Sequence, residues 1–169
     1  SEHFTTEKAR RMQVEDFKKV INKLPKEIRI TFSGFTEPWL NKDTSIMLQY
    51  AHLMGHPVAV FTTAVGMSLK DVKMIKDIPF TSGPNGGFTL HLPDKEKRAK
   101  HPITKPYVKV VQALKEANIQ HFQTMCMGTV HEKVEHLYPD ETVNKYEMWH
   151  RAGNLLGEAR LNPEVKSIW

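Results

Sequence analysis

Cysteine is nearly absent from this chain, with one residue, Cys126, in 169. A single thiol closes no internal disulfide, so a disulfide-stapled scaffold is excluded and a reducing, cytoplasmic setting is expected. Long apolar runs are missing as well. No stretch approaches the roughly 18 residues of a membrane-spanning helix, and the start, SEHFTTEKARRMQ, is too polar for a secretory signal, so no membrane partner is expected. Like charges do not cluster: Lys and Arg number 24 against 19 Asp and Glu, a net +5, yet no five of one sign adjoin. The excess favours an anionic ligand, and its even spread argues against nucleic acid. Neither a low-complexity linker nor an internal repeat appears, which leaves a single domain over residues 1–169. That length carries a sizeable core but falls short of the roughly 250 residues of a complete eightfold βα barrel.

What is present is an alternation of two periods. Residues 14–24, VEDFKKVINKL, place Phe17, Val20, Ile21 and Leu24 at spacings of three and four, which predicts an amphipathic helix stopped by Pro25. EIRITFSGF alternates Ile28, Ile30 and Phe32 with polar neighbours, as a strand does. KDTSIMLQYAHLMG reads as a helix carrying Ile46, Leu48, Tyr50, Leu53 and Met54, with Gly55 as its left-handed cap. PVAVFTT, residues 57–63, is a short apolar run suited to a strand buried on both faces. SLKDVKMIKDI predicts a helix capped by Ser68, and GGFTLHL a strand over 88–92. KPYVKVVQALKEAN puts Tyr107, Val110, Val111 and Leu114 on one helical face, and IQHFQTMCMGTV is a fourth strand. Beyond it the periodic signal fades. TSGPNGG, residues 81–87, is the most turn-like loop.

Strands alternating with helices pair in parallel through right-handed crossovers, so the expected class is α/β with parallel strands near residues 28, 58, 88 and 119. Ligands of such sheets gather at the carboxyl ends of the strands. The residues falling there are Ser33, Gly34, Thr36 and Glu37, then Thr62 and Thr63, then His91 and Asp94, then Cys126, Gly128, His131 and Glu132.

FSGFTEPWLN, with its Ser33-Gly34 step and Glu37-Pro38 exit, resembles the Gly-Gly-Glu-Pro motif that comes after the second strand in radical S-adenosylmethionine enzymes. The order of the later elements is similar too: a helix, GHPVAVFTTAVGM resembling that family's third strand, then its fourth and fifth strands. RAGNL, residues 151–155, is similar to a sequence in members that continue into a C-terminal auxiliary-cluster domain of the SPASM type. The resemblance spans about residues 12–156. It implies a parallel-stranded partial (βα) TIM-like barrel with strands in sequential order, of whose six units four to five would lie here. It also implies S-adenosylmethionine and a four-iron four-sulfur cluster as cofactors. Their chemistry is a 5'-deoxyadenosyl radical that abstracts hydrogen from a small-molecule or peptide substrate, with a reductant protein as a further partner. On the family's pattern, the backbone of Ser33, Gly34, Phe35 and Thr36 would meet the methionyl ammonium group, where a small residue lets the main chain approach. Glu37 would support the turn or add charge, while Thr62, Thr63, His91, Met125 and Gly128 would line the sugar, carboxylate and adenine.

Two departures stand against the full pattern. The family's cluster-binding CxxxCxxC loop is not in this sequence, and Cys126 alone cannot replace three thiolates. The residues before Val14 also lack a strand-like pattern, so the expectation is the family's core, incomplete at both ends. Thr36 stands where the family often has Gly.

Other constellations compete. His121, Cys126, His131 and His136 recur every five residues and are soft zinc donors, but that spacing is poor on a strand or a helix. Cys126 with His131 would make a thiol nucleophile, though no orienting Asn or Asp is identifiable. Glu37 and Glu132 lie on different strand ends, and GPNGGF lacks the Lys-Ser/Thr of a phosphate loop. The eight methionines read as core filling. The rival to the cofactor reading is a non-catalytic α/β ligand-binding or interaction domain, with Cys126 a small buried hydrophobe.

Overall fold

The computed structural model describes residues 11–33, 36–83, 86–98 and 102–146. Two compact units divide the chain, Met12–Tyr146 and a second made of Ser1–Arg11 with Glu147–Trp169. Nearly all of the second, RAGNL included, lies outside the described residues, as do Gly34 and Phe35.

Met12–Tyr146 alternates helices α1 (Val14–Ile21), α2 (Thr44–Leu53), α3 (Leu69–Ile75), α4 (Lys105–Glu116) and α5 (Glu132–Glu135) with five strands. The strands are β1 (Ile30–Phe32), β2 (Val58–Thr62), β3 (Phe88–His91), β4 (Phe122–Cys126) and β5 (Asn144–Lys145). Each pairs in parallel with the next, in the order β1-β2-β3-β4-β5, as the sequential expectation requires. The protein is α/β, with one all-parallel sheet that is not closed on itself among the described residues. β5 is the addition to the four expected strands: two exposed residues carry no period to read.

Sequential order with right-handed crossovers places every connecting helix on one face. The helices bear this out, α1 packing on α2, α2 on α3 and α3 on α4. Paired residues of parallel strands share a face, so the register sorts the side chains. Val58, Val60, Phe88 and Leu90 point to the helices and are fully buried. Phe17 packs on Phe32 and Phe80 on Phe88 in the same layer. The other face carries Thr31, Ala59, Phe61, Thr89, His91, Gln123 and Met125. Of these, Thr31 and Gln123 are exposed while Phe61, His91 and Met125 are half-buried. Parallel sheets are ordinarily apolar on both faces; this one is apolar on one and mixed on the other.

Local chemistry accounts for the element ends. Ser68 and Asp71 form a reciprocal capping box at the start of α3, and Gly55 ends α2 at φ +86°. On α4, Tyr107, Val110, Val111 and Leu114 are all buried, as their spacing predicts. α1 ends at Ile21, ahead of Pro25, and buries only Phe17 and Ile21, leaving Val20 exposed. The core face of α2 is Met47, Leu48 and Ala51, so Ile46 and Leu53 face outward. Ile28 stays outside β1 and is exposed. β4 starts at Phe122 because His121, at φ +56°, interrupts the extended chain after the buried Ile119. No helix among the described residues is long and apolar enough to cross a membrane.

Candidate functional site

Glu37 ties together the carboxyl ends of β1 and β2. It opens a 3-10 turn, Pro38–Leu40, where proline suits the first helical position. Its Oε1 accepts from the Thr62 hydroxyl and from the Trp39 amide at 3.4 Å. Its Oε2 accepts from the amide and the hydroxyl of Thr63, each at 2.7 Å. A carboxylate offers about four lone-pair positions, and protein donors occupy all four. Of the two roles expected for Glu37, support of the turn is the one its hydrogen bonds perform. Its charge remains beside the loop. Thr62 passes the constraint on by accepting from the amide of Ala64 at 2.7 Å, where the chain turns at φ +61°.

Beneath this bracket lies a hydrogen-bonded chain. Trp39, 1% exposed, donates its indole N–H to Ser45 Oγ at 3.1 Å, and Ser45 donates to Asp71 at 2.7 Å. The other oxygen of Asp71 accepts from the Ser68 amide at 2.8 Å and from its hydroxyl. Burial alone would raise the Asp71 carboxyl, but the Ser68 and Ser45 bonds, with Lys42 behind them, hold it below the usual carboxylate range. The loop after β1 is thereby locked to α2 and to the start of α3.

A second group forms at β3, β4 and β5. Nδ1 of His91 lies 2.8 Å from the hydroxyl of Tyr146, and the two rings meet edge-on with centroids 5.1 Å apart. The loop after β4 is braced from several sides. Glu96 accepts from the amide and hydroxyl of Thr129 at 3.0 and 2.9 Å, and Arg98 donates to the Met127 carbonyl at 3.3 Å. Lys145 donates to the Gly128 carbonyl at 2.8 Å and pairs with Asp140, whose carboxylate accepts from the Val130 amide at 2.6 Å. Buried Asp94 accepts from the amide of Arg98 at 2.8 Å. The Lys145 bond and then the Val130 amide hold the Asp140 carboxyl low, while Glu96 is held low by its own amide and by Thr129.

The expected site residues fall into these two groups. Ser33 and Thr36 flank the undescribed Gly34 and Phe35 and are exposed at the end of β1. Thr62 and Thr63 are bound to Glu37. His91 and Met125 sit side by side in register on the face opposite the described helices, and the Met125 carbonyl accepts from the Leu92 amide at 2.7 Å. Gly128 is packed so closely that a Cβ there would overlap the Glu96 carboxylate. Sequence reasoning missed Tyr146, Glu96, Arg98, Asp140 and Lys145. The charged loop PDKEKRAKHPI, directly after a strand end, was the signal that could have found Glu96 and Arg98; Tyr146 comes after a segment with no periodic pattern.

The thiol alternatives do not assemble. Cys126 is fully buried with its Sγ 3.8 Å from the Pro93 carbonyl, and burial pushes the thiol up. His131 instead caps α5, its Nδ1 accepting from the Lys133 amide at 3.2 Å. Among the described residues no three His, Cys, Asp or Glu side chains converge on a metal position. A groove of about 460 Å³ between α3 and α4, floored by Leu69, Val72 and Ala113, contains none of the strand-end residues.

Fold and site together define an α/β protein with a sequentially ordered parallel sheet and two polar clusters at its strand ends. No protein-family model, curated protein or solved structure matches the chain.

Proposed function

We propose that Met12–Tyr146 is the S-adenosylmethionine-binding core of a partial (βα) barrel of the radical S-adenosylmethionine type. The observation that carries this reading is the strand order, five parallel strands in sequence with their helices on one face. A doubly wound order, with β1 in the middle of the sheet, would have opposed it.

The two cofactors fare differently against the residues present. For S-adenosylmethionine, Glu37 is spent on holding the turn, and Ser33 and Thr36 are exposed beside it at the end of β1. Thr63, His91 and Met125 stand at the neighbouring strand ends. When bound, the sulfonium supplies a leaving group whose reductive cleavage gives the adenosyl radical. The cluster does not fit this chain. Its single cysteine is buried, its thiol is raised by burial, and its Sγ faces the Pro93 carbonyl. Cofactor binding alone is therefore assigned to these residues. A ligand-binding α/β domain without radical chemistry is the second reading, favoured by that missing ligand set.

Titration of S-adenosylmethionine into the isotope-labelled chain tests the proposal. Shifts concentrated on the amides of Thr36, Thr63, His91 and Gly128 are expected. Absence of shifts there under a large excess of ligand rejects it in favour of the second reading.

A further inference from the structure

We propose that the groove between α3 and α4 docks an acidic amphipathic helix of a partner protein. It shares no residue with either strand-end cluster, so its occupant is independent of the cofactor.

The groove follows from the side chains that the two helices bring to it. On α3, Leu69, Val72, Lys73 and Lys76 recur at spacings of three and four and so share one face. On α4, Lys109, Ala113 and Ala117 lie four apart in the same way. The two alanines end at Cβ, which leaves open a space of about 460 Å³ that longer side chains would fill. At about 1.5 Å per residue the lining runs roughly 10–12 Å along each helix, about two turns of a third helix laid between them. Its floor is apolar: Val72 is buried, Ala113 and Ala117 are half-buried, and Leu69, at the start of α3, remains 47% exposed.

The charge around that floor selects the occupant. Lys73, Lys76 and Lys109 line the groove against one carboxylate, Glu116. Glu116 accepts from Gln112 at 2.8 Å, and Lys76 pairs with Asp77 at 2.8 Å. Lys73 and Lys109 enter no hydrogen bond or ion pair among the described residues. An apolar floor beside unmatched ammonium groups fits an apolar stripe flanked by Asp or Glu, the helix-in-groove mode of recognition. Complementary charge then opposes basic partners. A flat anionic bilayer fits less well, because interfacial binding inserts protruding apolar side chains, and of the groove's apolar residues only Leu69 is exposed. A second copy fits less well too. The chain is itself +5, and the first-turn acids of α1, Glu15 and Asp16, are already paired with Lys18 and Lys19.

The probe is a crosslinked synthetic helix of about four turns, with a Leu/Ala stripe flanked by Glu. Titrated into the isotope-labelled full chain at low salt, it should shift the amides of α3 and α4 and leave those of the strand ends in place. A counterpart with Lys for every Glu should bind about tenfold more weakly or worse. Lys73→Glu with Lys109→Glu should weaken the acidic probe about tenfold and favour the basic one, and Leu69→Ala should weaken the acidic probe about threefold through lost apolar contact. Sheet amides unchanged from the parent show that each variant is folded, and the comparison of the two probes needs no variant at all. Absence of shifts on α3 and α4, equal binding of the two probes, or indifference of a folded double variant overturns the proposal. Shifts at these amides that grow with protein concentration alone give the groove to a second copy. Co-sedimentation with phosphatidylserine vesicles that Leu69→Ala abolishes gives it to a membrane, and either result overturns the proposal.

Discussion

The two strand-end clusters hold their loops by different physics. At β1 and β2 a half-buried carboxylate, Glu37, gathers four donors, three of them from uncharged threonine groups. At β3 and β4 ions do the same work, Lys145, Arg98 and Glu96 exposed and Asp140 half-buried, with Lys145 and Arg98 on carbonyl oxygens and Glu96 and Asp140 on amides. Bonds between a carboxylate and neutral donors away from water resist salt, whereas exposed pairs are weak and screened. The first cluster is therefore a rigid bracket. The second is an adjustable one, with the hydrogen-bonded, edge-on Tyr146–His91 pair beside it.

The largest effect should come from breaking the bracket. Glu37→Gln turns an acceptor oxygen into a donor that faces donors, leaving groups such as the buried Thr62 hydroxyl without a partner. The expected cost is about 2 kcal/mol or more, unchanged in high salt, by urea denaturation. Thr62→Val probes the same bracket from the other strand, since it leaves Glu37 Oε1 with the Trp39 amide alone and takes the acceptor from the Ala64 amide. A midpoint within error of the parent for both variants would erase the distinction between the clusters.

The next effect belongs to Gly128. An added methyl must displace the Glu96 carboxylate, a flexible and exposed group, but also lies close to Asp94 Cβ, at 3.3 Å. Gly128→Ala should cost about 1–2 kcal/mol. In a Glu96→Ala background the penalty should shrink, because the atom in the way is gone. An undiminished penalty would mean that the backbone of this loop, not Glu96, sets the constraint.

How far these clusters were legible in the sequence depends on how much a sequence encodes locally. The helical period placed Tyr107, Val110, Val111 and Leu114 correctly, and alternation in EIRITF together with short apolar runs such as PVAVFTT found four of the five strands. Glu37 with Pro38 stood out as a feature, yet its partners Thr62 and Thr63, some 25 residues on, became visible only through the β1–β2 register. Val20 and Leu53 fit a helical pattern and are nonetheless exposed, since the pattern cannot say how wide a face the sheet covers. Tyr146 reaches His91 across two strand pairings, β3 to β4 and β4 to β5, and β5 has two residues. No local period can announce such a contact.

Acid should separate the clusters by their salt response. The folded carboxyls of Asp71 and Asp140 are both held below their unfolded values. The stability that each contributes is complete above the unfolded carboxylate pKa and is lost as pH falls through the folded one. For Asp71 the hydrogen bonds come from Ser68 and Ser45, neutral groups, so its share of the acid limb should persist in high salt. For Asp140 the foremost cause is Lys145, so its share should fade. Asp71→Asn should flatten the acid limb equally at low and high salt. Flattening at low salt alone would assign Asp71 to the ionic kind of contact.

The smallest effect should come from Lys145→Met. This substitution keeps most of the aliphatic stem, removes the ammonium from the Gly128 carbonyl and leaves Asp140 with the Val130 amide. Both pairing side chains are substantially exposed, so water takes over the bonds that are lost, and the cost should stay within about 1 kcal/mol. Raising the salt should close even that gap, because the parent loses the same ion pair to screening. The measurement is the difference in urea midpoint between parent and variant at low and at high salt. A difference that survives high salt would show Lys145 acting as a specific hydrogen-bond donor to the Gly128 carbonyl. The loop after β4 would then be a bracket of the same rigid kind as Glu37, and the contrast between the two strand ends would lie in exposure alone.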